Sequence, residues 1–224
     1  MATLLLRIAA PLQSWGSSSK FEVRKTENVP TKSGIIGMLA AALGRRRDES
    51  LEDLNGLRFG VRVDQEGRLL RDFHMVHGEK DSYLTTRYYM ADAVFVAALE
   101  SDDIEFLEKL EQALKTPAFP LFLGRRSCPP TQPLVLGIKK EGLISALREE
   151  PWQTAEWRRK KTDSSLRILA DCSPDEEGAT AQQDVPLSFH PERREYGYRM
   201  MKEYGYVNKG EAGTITEHDP MKEL

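Results

Sequence analysis

A chain of 224 residues with 40% hydrophobic content is long enough to bury one large core or a body in two parts. Its 32 lysines and arginines stand against 35 aspartates and glutamates, a formal net charge of −3, so a polyanion partner has to be met by segregated rather than excess positive charge. Two cysteines, Cys128 and Cys172, in no CxxC pair, exclude a disulfide framework and a cysteine zinc site and fit a reducing cytoplasm; no run approaches the roughly 18 apolar residues that span a bilayer.

The opening segment MATLLLRIAAPLQ has no basic leader and is interrupted by Arg7, so it reads as a strand rather than a signal peptide. Leu4, Leu6, Ile8 and Ala10 alternate with their neighbours up to Pro11. Residues 13–29 form a long polar and aromatic loop in which Trp15 is read as an anchor, while Gln13 and Lys20 are candidate nucleic-acid contacts. The next stretch, VPTKSGIIGMLAAALGRRR at Val29 to Arg47, is the most informative. Ile35, Met38, Leu39, Ala42 and Leu43 repeat at helical spacing, which predicts a strongly amphipathic helix over Thr31–Leu43 closed by Gly44. Its first turn offers the amides of Ser33 and Gly34, the Lys32 ammonium and the Ser33 hydroxyl, a combination suited to a backbone phosphate. It is not a nucleotide-binding P-loop, because residues 26–31 contain no glycine. Arg45 to Arg47 complement the helix C-terminus and are secondary candidates.

After an acidic linker, Leu57, Phe59, Val61 and Val63 alternate with Arg58, Arg62 and Asp64, which predicts a half-buried strand. DQEGR supplies a turn, Leu69–Val76 is extended, Gly78–Ser82 is the tip of a protruding hairpin and Tyr83–Met90 its return limb. Arg87, Tyr88 and Tyr89 on that limb join a cation to stacking surfaces, the composition that grips splayed single-stranded bases. Ala93–Leu99 is a central strand, and Asp102 with Glu105 reads as a capping box opening a helix with Ile104, Leu107, Leu110 and Leu114 inward, stopped by Thr116 and Pro117. Leu121–Leu123 and Leu134–Ile138 are short strands flanking LGRRSCP, where at most one of Arg125 and Arg126 shares a sheet face. Beyond Gly142 come a short helix at Leu143–Glu149, a basic piece at Trp157–Lys161, a strand at Leu166–Ala170 and a charged loop to Asp184. Arg193 and Arg194 beside Tyr196 and Tyr198 suit either RNA or a protein partner.

This order of elements predicts an α+β protein. Residues 1–138 form a ferredoxin-like (RRM-like) βαββαβ body with an extended β-hairpin thumb around 78–90; residues 139–207 form a smaller irregular C-terminal region; residues 208–224 are polar and read as a mobile tail.

Six separated segments, LRIAAPLQSWG, VPTKSGIIGMLAAALG, RDFH, ADAVFVAAL, LGRRSCPPTQPLVLG and FHPERREYGYR, span nearly the whole chain in order and resemble the CasD family of type I-E CRISPR Cascade subunits, members of the repeat-associated mysterious protein superfamily. The resemblance implies a cytoplasmic, noncatalytic subunit without cofactor. Such a subunit caps the 5′ handle of the crRNA, supports the Cascade backbone subunit and the large subunit, and meets target DNA through the assembled complex. It further implies a thumb lying against the guide. The RNA-binding candidates are then Gln13, Lys20, Lys32, Ser33, Gly34, His74, Arg87, Tyr88, Tyr89, Arg125, Arg126 and Ser127. The alternative is a metal-independent endoribonuclease processing CRISPR repeat RNA, which needs a general acid and base. His74 and His77, three apart on an extended segment, project to opposite faces, and His190 and His218 lie in weakly patterned segments. A third class, a protein-binding adaptor, would use loop residues such as Leu12, Phe119 and Phe122.

Overall fold

The unbroken apolar run Ala93–Leu99 has no polar face to give to water, and a strand of that kind has to be covered on both sides. In the computed structural model, which describes residues 1–16, 23–78, 82–159 and 164–209, it becomes β7 (Val94–Ser101), in the interior of a seven-stranded antiparallel sheet. Its neighbours are β1 (Ala2–Ala9) and β4 (Arg58–Gln65); β8 (Val135–Lys139) lies outside β1. Beyond β4 the sheet continues through β9 (Ser165–Asp171), β11 (Arg194–Asn208) and β10 (Thr180–Phe189). A second, smaller sheet holds β2 (Leu12–Gln13), β3 (Val23–Arg24), β5 (Arg68–His77) and β6 (Ser82–Ala91).

Alternation along the central strands divides the core between two faces. Leu4, Leu6, Phe95, Ala97 and Leu99 pack beneath α1 (Lys32–Ala42) and α3 (Ile104–Lys115), joined by Leu54 of the short α2 (Glu52–Asn55). On the other face Leu5, Val96, Ala98, Ile168 and Ala170 meet Leu143, Ala146 and Leu147 of α4 (Leu143–Glu149). A further short helix, α5 (Glu156–Arg159), leads toward β9.

α4 is held by a charge that the sequence alone assigns to solvent. Arg62 and Asp64 are fully buried, so β4 is covered on both faces rather than half-buried as its alternation predicts. The Arg62 guanidinium pairs with Asp64 (Nε to Oδ1 2.6 Å, Nη2 to Oδ2 2.8 Å) and donates to the carbonyls of Leu147 at 2.5 Å, Glu150 at 2.6 Å and Pro151 at 2.9 Å. The cation thereby satisfies the end of α4, where carbonyls lack intrahelical partners. Asp64 in turn accepts from the Gln153 amide, and its carbonyl accepts from Trp152 Nε1 and the Thr154 hydroxyl.

Several expectations change in detail. α1 is buried nearly all round instead of being strongly amphipathic, because α3 and β10 both pack against it and the Phe189 ring lies over Gly37. The N-cap of α3 is Asp103, which accepts from the Phe106 amide, rather than Asp102; the one-residue shift leaves Ile104 exposed. Leu121–Leu123 forms no strand, although Leu123 is buried. The largest departure is in residues 139–207, expected to be an irregular second region, where β9, β10 and β11 extend the main sheet. Bulges hide their period-two signal: the β10–β11 register shifts between Gln182 and Val185 and again between Pro186 and Ser188, and the β11–β9 register between Glu203 and Tyr206. The hairpin predicted around 78–90 is an antiparallel ribbon ten residues deep on each limb, from Arg68 opposite Ala91 to His77 opposite Ser82. Residues 79–81 of its tip, Lys20, and residues 210–224 of the tail lie outside the described residues.

Removing Asp64 leaves a buried guanidinium without its counter-charge, which typically costs about 3–5 kcal/mol. Asp64→Ala is therefore expected to lower the urea unfolding free energy by that order, with little change in the slope of the transition; a loss below about 1 kcal/mol would show that the carbonyls alone hold Arg62.

Candidate nucleic-acid interface

The mouth of α1 forms as the sequence predicts and is already filled. Thr31, in extended conformation, caps the helix, its hydroxyl accepting from the Gly34 amide at 3.2 Å. The Lys32 amide donates to Asp184 Oδ2 at 2.8 Å, and the Lys32 ammonium reaches Asp171 Oδ2 at 3.3 Å. Arg199 closes the group, with Nη1 on Asp171 Oδ1 at 2.6 Å and with Nε and Nη2 on the two Asp184 oxygens at 2.6 and 3.0 Å. Burial works against the Arg199 charge, yet Asp184 and Asp171 outweigh it and hold the guanidinium above its ordinary pKa. A helix end favours an anion, and here the anion is a carboxylate of β10. Lys32 is 5% and Ser33 6% exposed, so the expectation that they present themselves to phosphate is corrected: the hairpin β10–β11 covers them. Gly34 is likewise turned inward, since a Cβ there would lie 2.8 Å from the Trp15 ring.

Gln13 also belongs to the interior. Fully buried, it donates to the Ala93 carbonyl at 2.7 Å and accepts from Trp15 Nε1 at 3.2 Å, so it orients the indole rather than an RNA base. Trp15 anchors its loop as its sequence context indicates, 1% exposed against the first turn of α1. The LGRRSC turn is laid onto this anchor by its backbone. The Ser14 amide donates to the Leu123 carbonyl at 3.1 Å, and the Leu123 amide to that of Cys128 at 2.7 Å. Gly124 has φ +83°, and a Cβ there would fall 1.6 Å from the Ser14 carbonyl oxygen, so no other residue fits. Cys128 is buried, and burial pushes its thiol pKa up.

What remains open to solvent is a group of arginines beside the ribbon. Arg24 on β3 is the register partner of Arg87 on β6, in parallel pairing, so the two side chains share a face. Arg125 comes over from the LGRRSC turn, donates to the Arg24 carbonyl at 3.1 Å and lies 4.4 Å over the Tyr89 ring. Arg87 Nε and Arg125 Nη1 are enclosed and have no hydrogen-bond partner among the described residues. Nor does any of these three guanidinium groups pair with a carboxylate among them, although Asp72 sits opposite Arg87 in the ribbon; Asp72 Oδ2 instead meets His74 Nε2 at 2.7 Å. Arg126 and Ser127 are exposed at the same turn.

The structure thus brings Arg87, Tyr89 and Arg125 together, with Arg126 and Ser127 at the same turn and His74 on the same face of the ribbon, and separates Gln13, Lys32, Ser33, Gly34 and Tyr88 from them. Tyr89 is a buried packing surface for Arg125 rather than a free stacking platform. Tyr88 points to the opposite face of β6, with Arg71 as its cross-strand partner, so Arg87, Tyr88 and Tyr89 do not grip one base. That face is apolar farther out, with Phe73 70% exposed and Met75 and Leu84 also open. His74 is half-buried on the Arg87 face; His77 lies on the other face with Nδ1 2.8 Å from Ser82 Oγ. Among the described residues no cluster of His, Cys, Asp and Glu has the geometry of a metal site, and no helix is long and apolar enough to cross a membrane. Arg24 escapes a sequence reading because its only local signal is the short EVRK run, whereas its neighbours come from 63 and 101 residues away.

The profile of the family described as CRISPR-associated protein (Cas_Cas5) matches residues 3–202. The "CRISPR system Cascade subunit CasD" of Escherichia coli (strain K12) is 38% identical over 156 residues, 60% of this chain and 70% of that one. A solved "CRISPR RNA-guided surveillance complex" contains a chain that superposes with a TM-score of 0.76 at 32% identity, covering 92% of this chain and 90% of that chain. A second solved structure, "Crystal structure of Cas protein", gives 0.72 at 37% identity over 95% and 97%.

Because Asp184 serves Lys32 and Arg199 together, Asp184→Ala strips a buried guanidinium of one of its two carboxylates and the helix mouth of its anion. The expected loss is about 3 kcal/mol of unfolding free energy, measured by urea denaturation; an unchanged midpoint would mean that apolar packing alone seats β10 on α1.

Proposed function

Because the chain belongs to the Cas5 family of CRISPR-associated proteins, we propose that it is a noncatalytic subunit of a Cascade surveillance complex that caps the 5′ handle of the crRNA. The observation that carries this reading is the trio Arg24, Arg87 and Arg125, three guanidinium groups on one surface that form no ion pair with a carboxylate among the described residues, the neighbouring Asp72 being turned to His74. Planar forks of this kind clasp phosphate in two places through the edges they leave open to solvent. Arg126, Ser127 and His74 extend the same surface, and Tyr88 with the apolar outer ribbon serves the backbone subunit. The handle therefore runs past the ribbon root rather than into the α1 mouth.

The body supports the role. Strand order β8-β1-β7-β4, with α1 and α3 on one face, favours a ferredoxin-like βαββαβ reading in which the elements run β1, α1, β4, β7, α3, β8. Cleavage of RNA by 2′-hydroxyl attack needs an acid and a base converging on one ribose. His74 and His77 lie on opposite faces of β5, and His190 sits at the turn between β10 and β11, so the described histidines favour a binding role. Contact with the large subunit and, through the assembled complex, with target DNA belongs to the same proposal.

Fluorescence anisotropy with handle-bearing guide RNA tests it. Arg24→Gln with Arg125→Gln is expected to weaken binding and to reduce the log–log salt slope by about 0.7 for each phosphate no longer neutralised, whereas Lys32→Gln changes stability and leaves the slope alone. Wild-type affinity and slope in the arginine double variant would overturn the assignment of the site. In a second assay, replacing residues 74–85 by a tight turn should leave the body folded, because the buried root at Tyr89 and Met90 is kept, but should abolish co-purification with the backbone subunit.

A further inference from the structure

A carboxylate stands on the face of the ribbon that carries the arginines. Asp72 of β5 is the register partner of Arg87 on β6, and residues directly opposite in an antiparallel pair hold their Cβ atoms about 4.5–5.5 Å apart. The spacing allows an ion pair, and none forms. Asp72 Oδ2 lies 2.7 Å from His74 Nε2, two residues along the same strand, but without the alignment of a hydrogen bond, and Asp72 Oδ1 has no partner among the described residues. Both side chains are 42% exposed. Thr85, opposite His74, turns its hydroxyl to the His74 carbonyl at 3.2 Å and so offers Asp72 no donor. The carboxylate keeps its lone pairs for a group from outside the described chain.

We propose that Asp72 is a specificity-determining residue that selects guanine at one position of the bound RNA, accepting from the guanine N1–H and 2-amino group. Phosphate contacts position a strand and base contacts specify it. A carboxylate beside phosphate-binding arginines repels the phosphates unless it also takes a donor from the same ligand. Guanine alone among the four bases presents two adjacent N–H donors on its Watson–Crick edge, and they match the two oxygens of a carboxylate. Adenine and cytosine set one amino group beside an acceptor nitrogen, and uracil sets one N–H between two carbonyls, so each brings a lone pair against the carboxylate. A partner protein's cation is a poorer occupant, because Arg87 stands opposite Asp72, Arg24 beside Arg87, and Arg125 over Tyr89, two residues farther along β6. A neutral base edge meets no such repulsion, and the phosphate that accompanies it is drawn to the same guanidinium groups. The proposal rests on the handle-capping reading for the presence of RNA and goes beyond it in naming a base and the side chain that selects it.

The test measures fluorescence anisotropy of the full chain with labelled oligouridines of about eight nucleotides, carrying at the centre a single guanosine, inosine or adenosine. The wild type is expected to bind the guanosine oligomer roughly tenfold more tightly than the adenosine oligomer. Inosine, which keeps N1–H and lacks the 2-amino group, should fall between them. Asp72→Asn offers one acceptor and one donor, the pattern that suits adenine, and should bring the guanosine-to-adenosine ratio to about one or below. Asp72→Ala should abolish the preference as well. Neither variant should bind the adenosine oligomer more weakly than the wild type, since the repulsion leaves with the charge. Asp72 is half-exposed and its side chain makes no hydrogen bond among the described residues, so both variants are expected to keep the wild-type urea midpoint. Equal wild-type affinity for the guanosine and adenosine oligomers, or a preference that survives both variants, would overturn the assignment. So would an unchanged ratio combined with weakened association of a partner subunit, which would make Asp72 a protein contact. Failure of the handle reading shows separately, as wild-type binding of all three oligomers by Arg24→Gln with Arg125→Gln.

Discussion

Four charges, Lys32, Arg199, Asp171 and Asp184, fix the relation between the first helix and the last hairpin. They sum to zero, and each comes from a different element or its edge: α1, β11, β9 and β10. Apolar contact alone seats a hairpin loosely, because hydrophobic burial is non-directional. A helix end that needs an acceptor, a guanidinium that needs two, and an ammonium that needs a counter-charge define one position between them. The same closure leaves no open anion site at the α1 mouth. A phosphate at the α1 mouth would have to displace Asp184 from a site where the carboxylate is held by three donors at once, so the accessible positive surface has to be built elsewhere.

It is built on backbone. Gly124 lets the LGRRSC turn lie directly on Ser14, and Trp15 then fills the space that Gly34 leaves on the first turn of α1. Gly34, Trp15 and Gly124 thus act as spacers that carry Arg125 to the ribbon root. There it stacks on Tyr89 and is steered by the Arg24 carbonyl. Arginine fits this duty better than lysine, because a planar group is able to stack with one face while its edge donates.

The elements with unbroken periodicity are legible in the sequence: β1, β7, α1, α3 and α4 all stand within a residue or two of their predicted spans. What does not show is whatever depends on a partner far along the chain. Arg62 and Asp64 look like the solvent face of a strand until α4 and the segment after it arrive to use them. β10 and β11 look irregular because bulges shift the alternation out of phase, at Gly205 with φ +76° for one. Lys32 and Ser33 carry every local mark of an anion site, and that local signal is physically real: the anion is simply Asp184, 152 residues away. Of the site, Arg87 and Arg125 follow from local composition, whereas Arg24 requires the parallel pairing of β3 with β6.

The net charge of −3 now has a structural sense. Cations that the fold consumes, Arg62, Lys32 and Arg199, are matched by the buried carboxylates Asp64 and Asp184 and the largely buried Asp171. Arg24, Arg87 and Arg125 gather without such partners where β6 returns to the body. A chain of net negative charge therefore meets any polyanion through local groups such as this one rather than through its overall field, because the field falls off over a Debye length of about 8 Å at physiological ionic strength.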